Sequence, residues 1–388
     1  MPVVNRIAEF HEDIAAWRQE LHRHPEILYE VHRTAASVAD KLRDFGVDEV
    51  ATGIGRTGVV GIIRGKQTGS GRVIGLRADM DALPILETTG KAYASTIDGR
   101  MHACGHDGHT AMLLGAARYL AETRNFDGTA VVIFQPAEEG GAGGKAMVDD
   151  GMMERWGIQE VYGMHNWPGL PIGEFATRPG PITAATDEFT IDITGRGGHA
   201  ARPNLAIDPI MIGTGLIQML QTIVSRSVDP IESAVLSVTT FHAGQAHNVI
   251  AETAHLGGTV RTFDPVVRDI VEARMNRIAD GFATAHEATV KLDYQRSYPV
   301  TRNHPKQTDT AISVAAEIVG ADHVAGDAPP IMAGEDFSYM LEARPGAFVF
   351  IGNGDSAGLH NSAYDFNDEA IPAGCSYWAR LVERTMPA

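Results

Sequence analysis

The chain has 388 residues, 44% of them hydrophobic and 21% charged, enough for one large globular domain or two ordinary ones. Its net charge of −17 argues against nucleic acid or an anionic membrane surface as partner, since both demand clustered Lys and Arg. No apolar run approaches the roughly eighteen charge-free residues that a membrane span needs.

Residues 1–21, MPVVNRIAEFHEDIAAWRQEL, have the spacing of one amphipathic helix with charged residues on its outer face. They lack the apolar centre of a signal peptide, so the cytoplasm is the expected compartment. HRHPE follows, with His22, His24 and Glu26, and its proline favours a helix ending before it. It reads as a structural turn tying the first helix to a sheet. TGVVGIIRG (57–65) and RVIGLRAD (72–79) are β-branched apolar runs bounded by glycines, the mark of strands. The same character returns at TAVVIFQP (129–136) and VYGMHNW (161–167). TAMLLGAARYLAE (110–122) and GGKAMVDDG (143–151) read as helices, the second ending at a glycine. Short apolar strands separated by helices predict an α/β fold, a mainly parallel sheet with helices on both faces.

A different pattern begins near Ala185, where TDEFTIDITGR alternates polar and apolar like a strand with one wet face. A helix is expected over 208–226, strands over 234–244 and 253–263, a long amphipathic helix over 266–287 and a last strand over 289–297. That order is a ferredoxin-like α+β unit. Proline-bearing segments, RPGPIT and YPVTRNHP, flank it, as expected of an inserted domain. The expected organisation is a discontinuous catalytic domain, 1–184 and 298–388, with a lid over 185–297.

MHACGHDGHTAM (101–112) packs His102, Cys104, His106, Asp107 and His109 into eight positions. Thiolate and imidazole together suit a borderline cation such as zinc, with manganese, cobalt or nickel as alternatives. Cys104 and Cys375 could form one disulfide, but a cysteine inside a histidine cluster reads better as a metal ligand or a nucleophile. Other donors should come from other strand ends, the edge where α/β sheets bind ligands. Glu138 and Glu139 in QPAEEGG follow one strand, His165 ends another, His360 sits in GLHNSAYDFN, and Asp79 and Asp81 lie in RADMDALP. Adjacent carboxylates can divide the labour, one coordinating a cation and the other moving a proton.

LHRHPE, RADMDALP, MHACGHDGHTAM, QPAEEGG, GMHNWP, GRGGHAARP, AHNVIAE, GTVRTF, GEDFSYM and LHNS occur in this order. Together they closely resemble the aminoacylase and hippurate hydrolase branch of metallopeptidase family twenty, over essentially the whole chain. The resemblance implies two divalent cations per chain and a homodimer joined through the lid. It makes Cys104 the bridging ligand, His106 and His165 ligands of one ion, and Glu139 and His360 ligands of the other. Glu138 matches the general base. Asp79 stands where other branches have a metal-binding histidine, and Asp81 matches the carboxylate that orients that histidine, which leaves its role here open. His199 matches a histidine that reaches into the partner's site, and Asn248 and Arg261 match a pair that holds the substrate carboxylate. Gly334, Glu335 and Asp336 are assigned to the acyl pocket or to support of the site.

The activity this implies is hydrolysis of an N-acyl-L-amino acid by metal-activated water. Two rivals stand beside it: a dipeptidase or carboxypeptidase using the same cations, and a metal-binding protein without catalysis. A nucleophilic Cys104 that needs no cation is a third.

Overall fold

The computed structural model describes residues 4–388, and the chain divides into two compact units. The first runs up to Ile182 and takes in Thr301–Pro329 and Asp336–Ala388; the second is Thr183–Val300 with Pro330–Glu335. Residues 330–335, expected in the catalytic domain, therefore cluster with the inserted unit. The Ala184 N–H explains why, donating to the carbonyls of Ile331 (3.1 Å) and Ala333 (2.9 Å) at the entry to that unit.

In the first unit the N-terminal segment is two helices, Asn5–Glu9 and His11–Arg23, where one was expected; residues 1–3 lie outside those described. The break falls at Phe10, whose N–H bonds three residues back to Ile7 in a tight turn. The buried Phe10 ring is held there between the guanidinium groups of Arg6 (4.4 Å) and Arg118 (3.8 Å).

The sheet is built from β1 (Glu49–Ile54), β2 (Gly58–Arg64), β3 (Val73–Asp79), β4 (Thr129–Gln135), β5 (Glu160–Pro168) and the strand Gly346–Gly354. Their order is β1-β2-β4-β3-β5-(346–354), continued by the short strands Phe175–Ala176 and Val324–Ala325. β4, β3, β5 and Gly346–Gly354 run parallel, whereas β1 and β2 form an antiparallel edge. Every residue of β4 from Ala130 to Gln135 is buried, as in a strand covered on both faces. Register pairs Asp79 with Gln135 and His165 with Phe350, so the strands deliver their carboxyl ends side by side. The helix His106–Thr123 is buried from His106 through Ala117 and packs on β3, β5 and the helices His11–Arg23 and Ile371–Thr385. Both cysteines are free, and Cys375 packs in the core with its thiol donating to the Met112 carbonyl (3.1 Å).

The second unit holds β6 (Ala185–Thr194), β7 (Ala234–Ala243), β8 (Thr253–Thr262) and β9 (Thr289–Arg296) in the antiparallel order β7-β8-β6-β9. Phe189, Ile191 and Ile193 of β6 pack with Leu216, Leu220 and Ile223 of the helix Pro209–Arg226 and Val271 and Met275 of Pro265–His286. Alternate residues of β6, Glu188 to Thr194, are exposed. Each helix starts with Pro after a capping aspartate: Asp208 accepts from the Ile210 N–H (2.9 Å) and Asp264 from Val266 (2.7 Å). Strand–helix–strand–strand–helix–strand is thus the observed order. Among the described residues no helix is long and apolar enough to cross a membrane.

Candidate metal centre

Cys104 lies in the turn that leads into the helix beginning at His106, so the histidine motif forms the first helical turn. Gly105 enables the turn, with φ +93°, and a Cβ there would meet the Asn166 amide at 2.2 Å and the Tyr364 hydroxyl at 2.6 Å. His106 Nδ1 donates to the Asp81 carbonyl (2.7 Å), which aims Nε2 inward; Nε2 is buried and makes no hydrogen bond. His165 is fixed the same way. Its Nδ1 donates to the Asn166 carbonyl (2.6 Å) and its Nε2 lies 3.3 Å from the Cys104 sulfur.

Glu138 and Glu139 follow β4 in a turn pinned by one side chain. Asp81 Oδ1 accepts from the Glu138 N–H (2.9 Å) and Oδ2 from the Glu139 N–H (3.1 Å). The role left open for Asp81 is therefore to aim this acidic turn. His360 has φ +62°, and its N–H bonds to the Ala103 carbonyl (2.8 Å), next to Cys104. Its Nε2 sits 3.2 Å from Glu139 Oε1.

These five side chains meet in two groups that share Cys104. Donor atoms of Cys104, His106 and His165 lie within 4.8 Å of one another, and so do those of Cys104, Glu139 and His360. The electrostatics suit a cation. Burial works against charge on His106, yet Asp79, Asp81 and Glu139 outweigh it and push its pKa up to about 10. Burial pushes the Cys104 thiol well up, and the carboxylates of Glu139, Glu138 and Asp79 push it further. His165, buried beside His109, is held well below the usual imidazole range and keeps its lone pair.

Sequence reasoning missed the support around this cluster. His22, read as part of a structural turn, is buried and its Nδ1 is 2.8 Å from Asp107, the residue after His106. Burial disfavours its charge, but Asp107 and Glu87 prevail and raise its pKa from 6.5 to about 9. A raised pKa stabilises the fold fully below the unfolded value of 6.5, and that contribution fades as pH rises through about 9. The metal-free protein should therefore lose up to ~3 kcal/mol of stability across that interval, about 1.4 per pK unit. Denaturant unfolding of wild type and His22→Gln checks this: the gap between them should narrow with rising pH. Asp336 also has a defined task. It accepts from Arg77 Nη2 (2.9 Å), Gln135 Nε2 (2.7 Å) and the Gly144 N–H (2.7 Å), bracketing the acidic turn. Gly334 and Glu335 fall in the second unit.

The remaining candidates also lie in the second unit. His199 pairs with Val249 across a short two-stranded ladder, and the Ala200 N–H bonds to the Asn248 carbonyl (3.0 Å). His199 and Asn248 line an open cleft of about 810 Å³ with Arg196, Gln245 and Glu252. Arg261 is elsewhere. Half-buried at the far end of β8 and paired with Thr186, its Nη1 donates to Thr259 Oγ1 and to the Val260 carbonyl (3.0 Å). Thr253, at the end nearer Asn248, is about 26 Å from Arg261 at ~3.3 Å per strand residue. Asn248 thus precedes one end of β8, while Arg261 lies near the other.

The model of peptidase family M20/M25/M40 matches residues 75–384. The hippurate hydrolase of Campylobacter jejuni is 42% identical over 98% of this chain and 98% of its own. Thermostable carboxypeptidase 2 of Saccharolobus solfataricus is 38% identical over 97% of this chain and 96% of its own. Among solved structures, a dinuclear metal-binding peptidase of Bacillus subtilis matches with a TM-score of 0.85 and 34% identity, covering 98% of this chain and 99% of that one. The chain belongs to peptidase family M20/M25/M40 and is a metal-dependent amidohydrolase.

Proposed function

We propose that the protein hydrolyses N-acyl-L-amino acids, releasing a carboxylic acid and a free amino acid. One observation carries the proposal: two groups of buried sulfur, imidazole and carboxylate donors with Cys104 common to both. The donor set fits two divalent cations. The buried Nε2 of His106, which makes no hydrogen bond, points to a missing partner, and sulfur beside imidazole favours zinc, with manganese, cobalt or nickel as substitutes. Cys104, His106 and His165 would hold one ion, and Cys104, Glu139 and His360 the other.

When bound, such ions lower the pKa of a water and polarise the amide carbonyl. The chain's own part is then acid–base and positioning work. Glu138, fixed beside Glu139 by Asp81, takes a proton from the attacking water and returns it to the leaving amine. His106 and His165 aim Nε2 inward because their other nitrogens donate to backbone carbonyls. A guanidinium suits the free carboxylate of the substrate, the role we assign to Arg261. His199 supplies a donor for the oxyanion and Asn248 a further contact. His199 and Asn248 lie beyond one end of β8 and Arg261 near its other end, which supports their joint action on one substrate from two chains. We infer a homodimer through the second unit on that ground.

Removal of metal by a chelator should abolish turnover of hippurate and N-acetyl-methionine, and added zinc or manganese should restore it. Turnover that survives chelation would overturn the proposal. The carboxypeptidase relative makes dipeptides the necessary comparison, and preferential turnover of dipeptides would replace the substrate class while keeping the site.

A further inference from the structure

Asp79 and His109 form a buried pair that the proposed chemistry leaves unused. Asp79 ends β3, and His109 lies in the first turn of the helix after Cys104. His109 Nδ1 donates to Asp79 Oδ1 at 2.6 Å, so the proton of the neutral ring is on Nδ1 and Nε2 is an acceptor. That acceptor takes the main-chain N–H of Asn166 (2.9 Å) and its side-chain amide (3.0 Å). The Asn166 amide also donates to the carbonyl of Cys104 (2.6 Å), while its oxygen accepts from the Tyr364 hydroxyl (2.7 Å). Asn166 follows His165 directly, and Tyr364 lies four residues past His360. One imidazole therefore ties together the backbone segments that carry three of the proposed donors.

Asp79, His106 and His109 also lie close enough together to suggest a third cation position. The hydrogen bonds speak against it. Both nitrogens of His109 are committed, and Asp79 Oδ2 accepts from Arg77 Nη1 at 2.7 Å while Oδ1 takes His109. Of the three, only His106 has a buried ligand atom, Nε2, that makes no hydrogen bond.

We infer that Asp79 and His109 are positioning residues: the Asp79–His109–Asn166 chain sets the tautomer and place of the contacts that aim Cys104 and His165. The chain has a built-in directional check. In Asp79→Asn the amide oxygen stays with Arg77, which has donors only, so the NH₂ faces His109 Nδ1. The ring proton is then forced to Nε2, against the Asn166 N–H, and the contact becomes repulsive. His109→Gln retains a donor for Asp79 and an acceptor for Asn166, whereas His109→Ala retains neither.

The inference rests on the proposed dinuclear site, and zinc competition against a chelating dye separates the two. Metal-free wild type, His165→Ala, His109→Ala, His109→Gln and Asp79→Asn would be titrated, with thermal unfolding of each metal-free protein beside it. Wild type should bind two equivalents and His165→Ala should lose one. Asp79→Asn and His109→Ala should keep both, with affinity lowered about 10- to 100-fold, and His109→Gln should fall between them and wild type. The thiolate charge-transfer band of the cobalt-loaded protein should shift in Asp79→Asn and His109→Ala, reporting a displaced Cys104. A role in folding alone would lower the unfolding temperature while leaving zinc affinity and that band unchanged, which overturns the inference. Loss of a whole equivalent in His109→Gln would make His109 a ligand and overturn it equally. Two tightly bound equivalents in His165→Ala would instead overturn the dinuclear reading. Should Asp79→Asn fail to fold, the two His109 variants decide.

Discussion

Glu138→Gln should bind both cations with wild-type affinity and lose roughly two to four orders of magnitude in kcat, the usual worth of a general acid–base. The substitution keeps the shape of the side chain and its backbone N–H bond to Asp81. It leaves the five proposed donors untouched and removes only the ability to accept and return a proton. The effect should therefore fall on kcat, with KM little changed. A non-catalytic metal-binding protein has no need for a second carboxylate beside a coordinating one, so this variant also tests that rival. Wild-type turnover with both ions present would take Glu138 out of the mechanism. Loss of one metal equivalent would make it a ligand.

The second large effect comes from combining two inactive chains. His199→Ala should cost about 10²- to 10³-fold on its own, the worth of one donor to an oxyanion. Refolded together with Glu138→Gln, it should recover activity, because a mixed dimer holds one site with both Glu138 and a functional His199 from the other chain. Random pairing makes half the dimers mixed, each with one intact site of two, so about a quarter of wild-type activity should return. A mixture no more active than its parents would mean that each site is built within one chain. The separation of His199 and Asn248 from Arg261 along β8 is the observation that this experiment converts into a number.

Much of this architecture was legible from residue patterns. TAVVIFQ and GVVGIIR are β-branched, buried on both faces and short, and they became β4 and β2. TDEFTIDIT alternates and became β6 with one covered face. Cys104, His106, Glu139, His165 and His360 were readable as candidate donors because each is a strong ligand type placed at a strand end or in a turn, and the fold gathers them into two groups. What escaped was held by tertiary contact. β1, EVATGI, is half exposed with no clean period, and it is a strand only because β2 offers it an edge. The Phe10 break depends on Arg118, far away in sequence. Segment 330–335 joins the second unit through backbone bonds to Ala184, which no side-chain pattern records. The tasks of Asp81, His22 and His109 are hydrogen bonds between distant loops, and residue type alone does not distinguish such a residue from a ligand.

The way Asp81 grips consecutive peptide groups bears on how this enzyme could be re-engineered. The proposed proton shuttle, Glu138, and the proposed cation ligand, Glu139, are neighbours on the backbone, about 3.8 Å apart from Cα to Cα, a spacing fixed by the trans peptide that no rotamer can stretch. Enlarging the catalytic chamber for a bulkier acyl chain must therefore come from walls other than this turn, since any drift there would carry both functions away together.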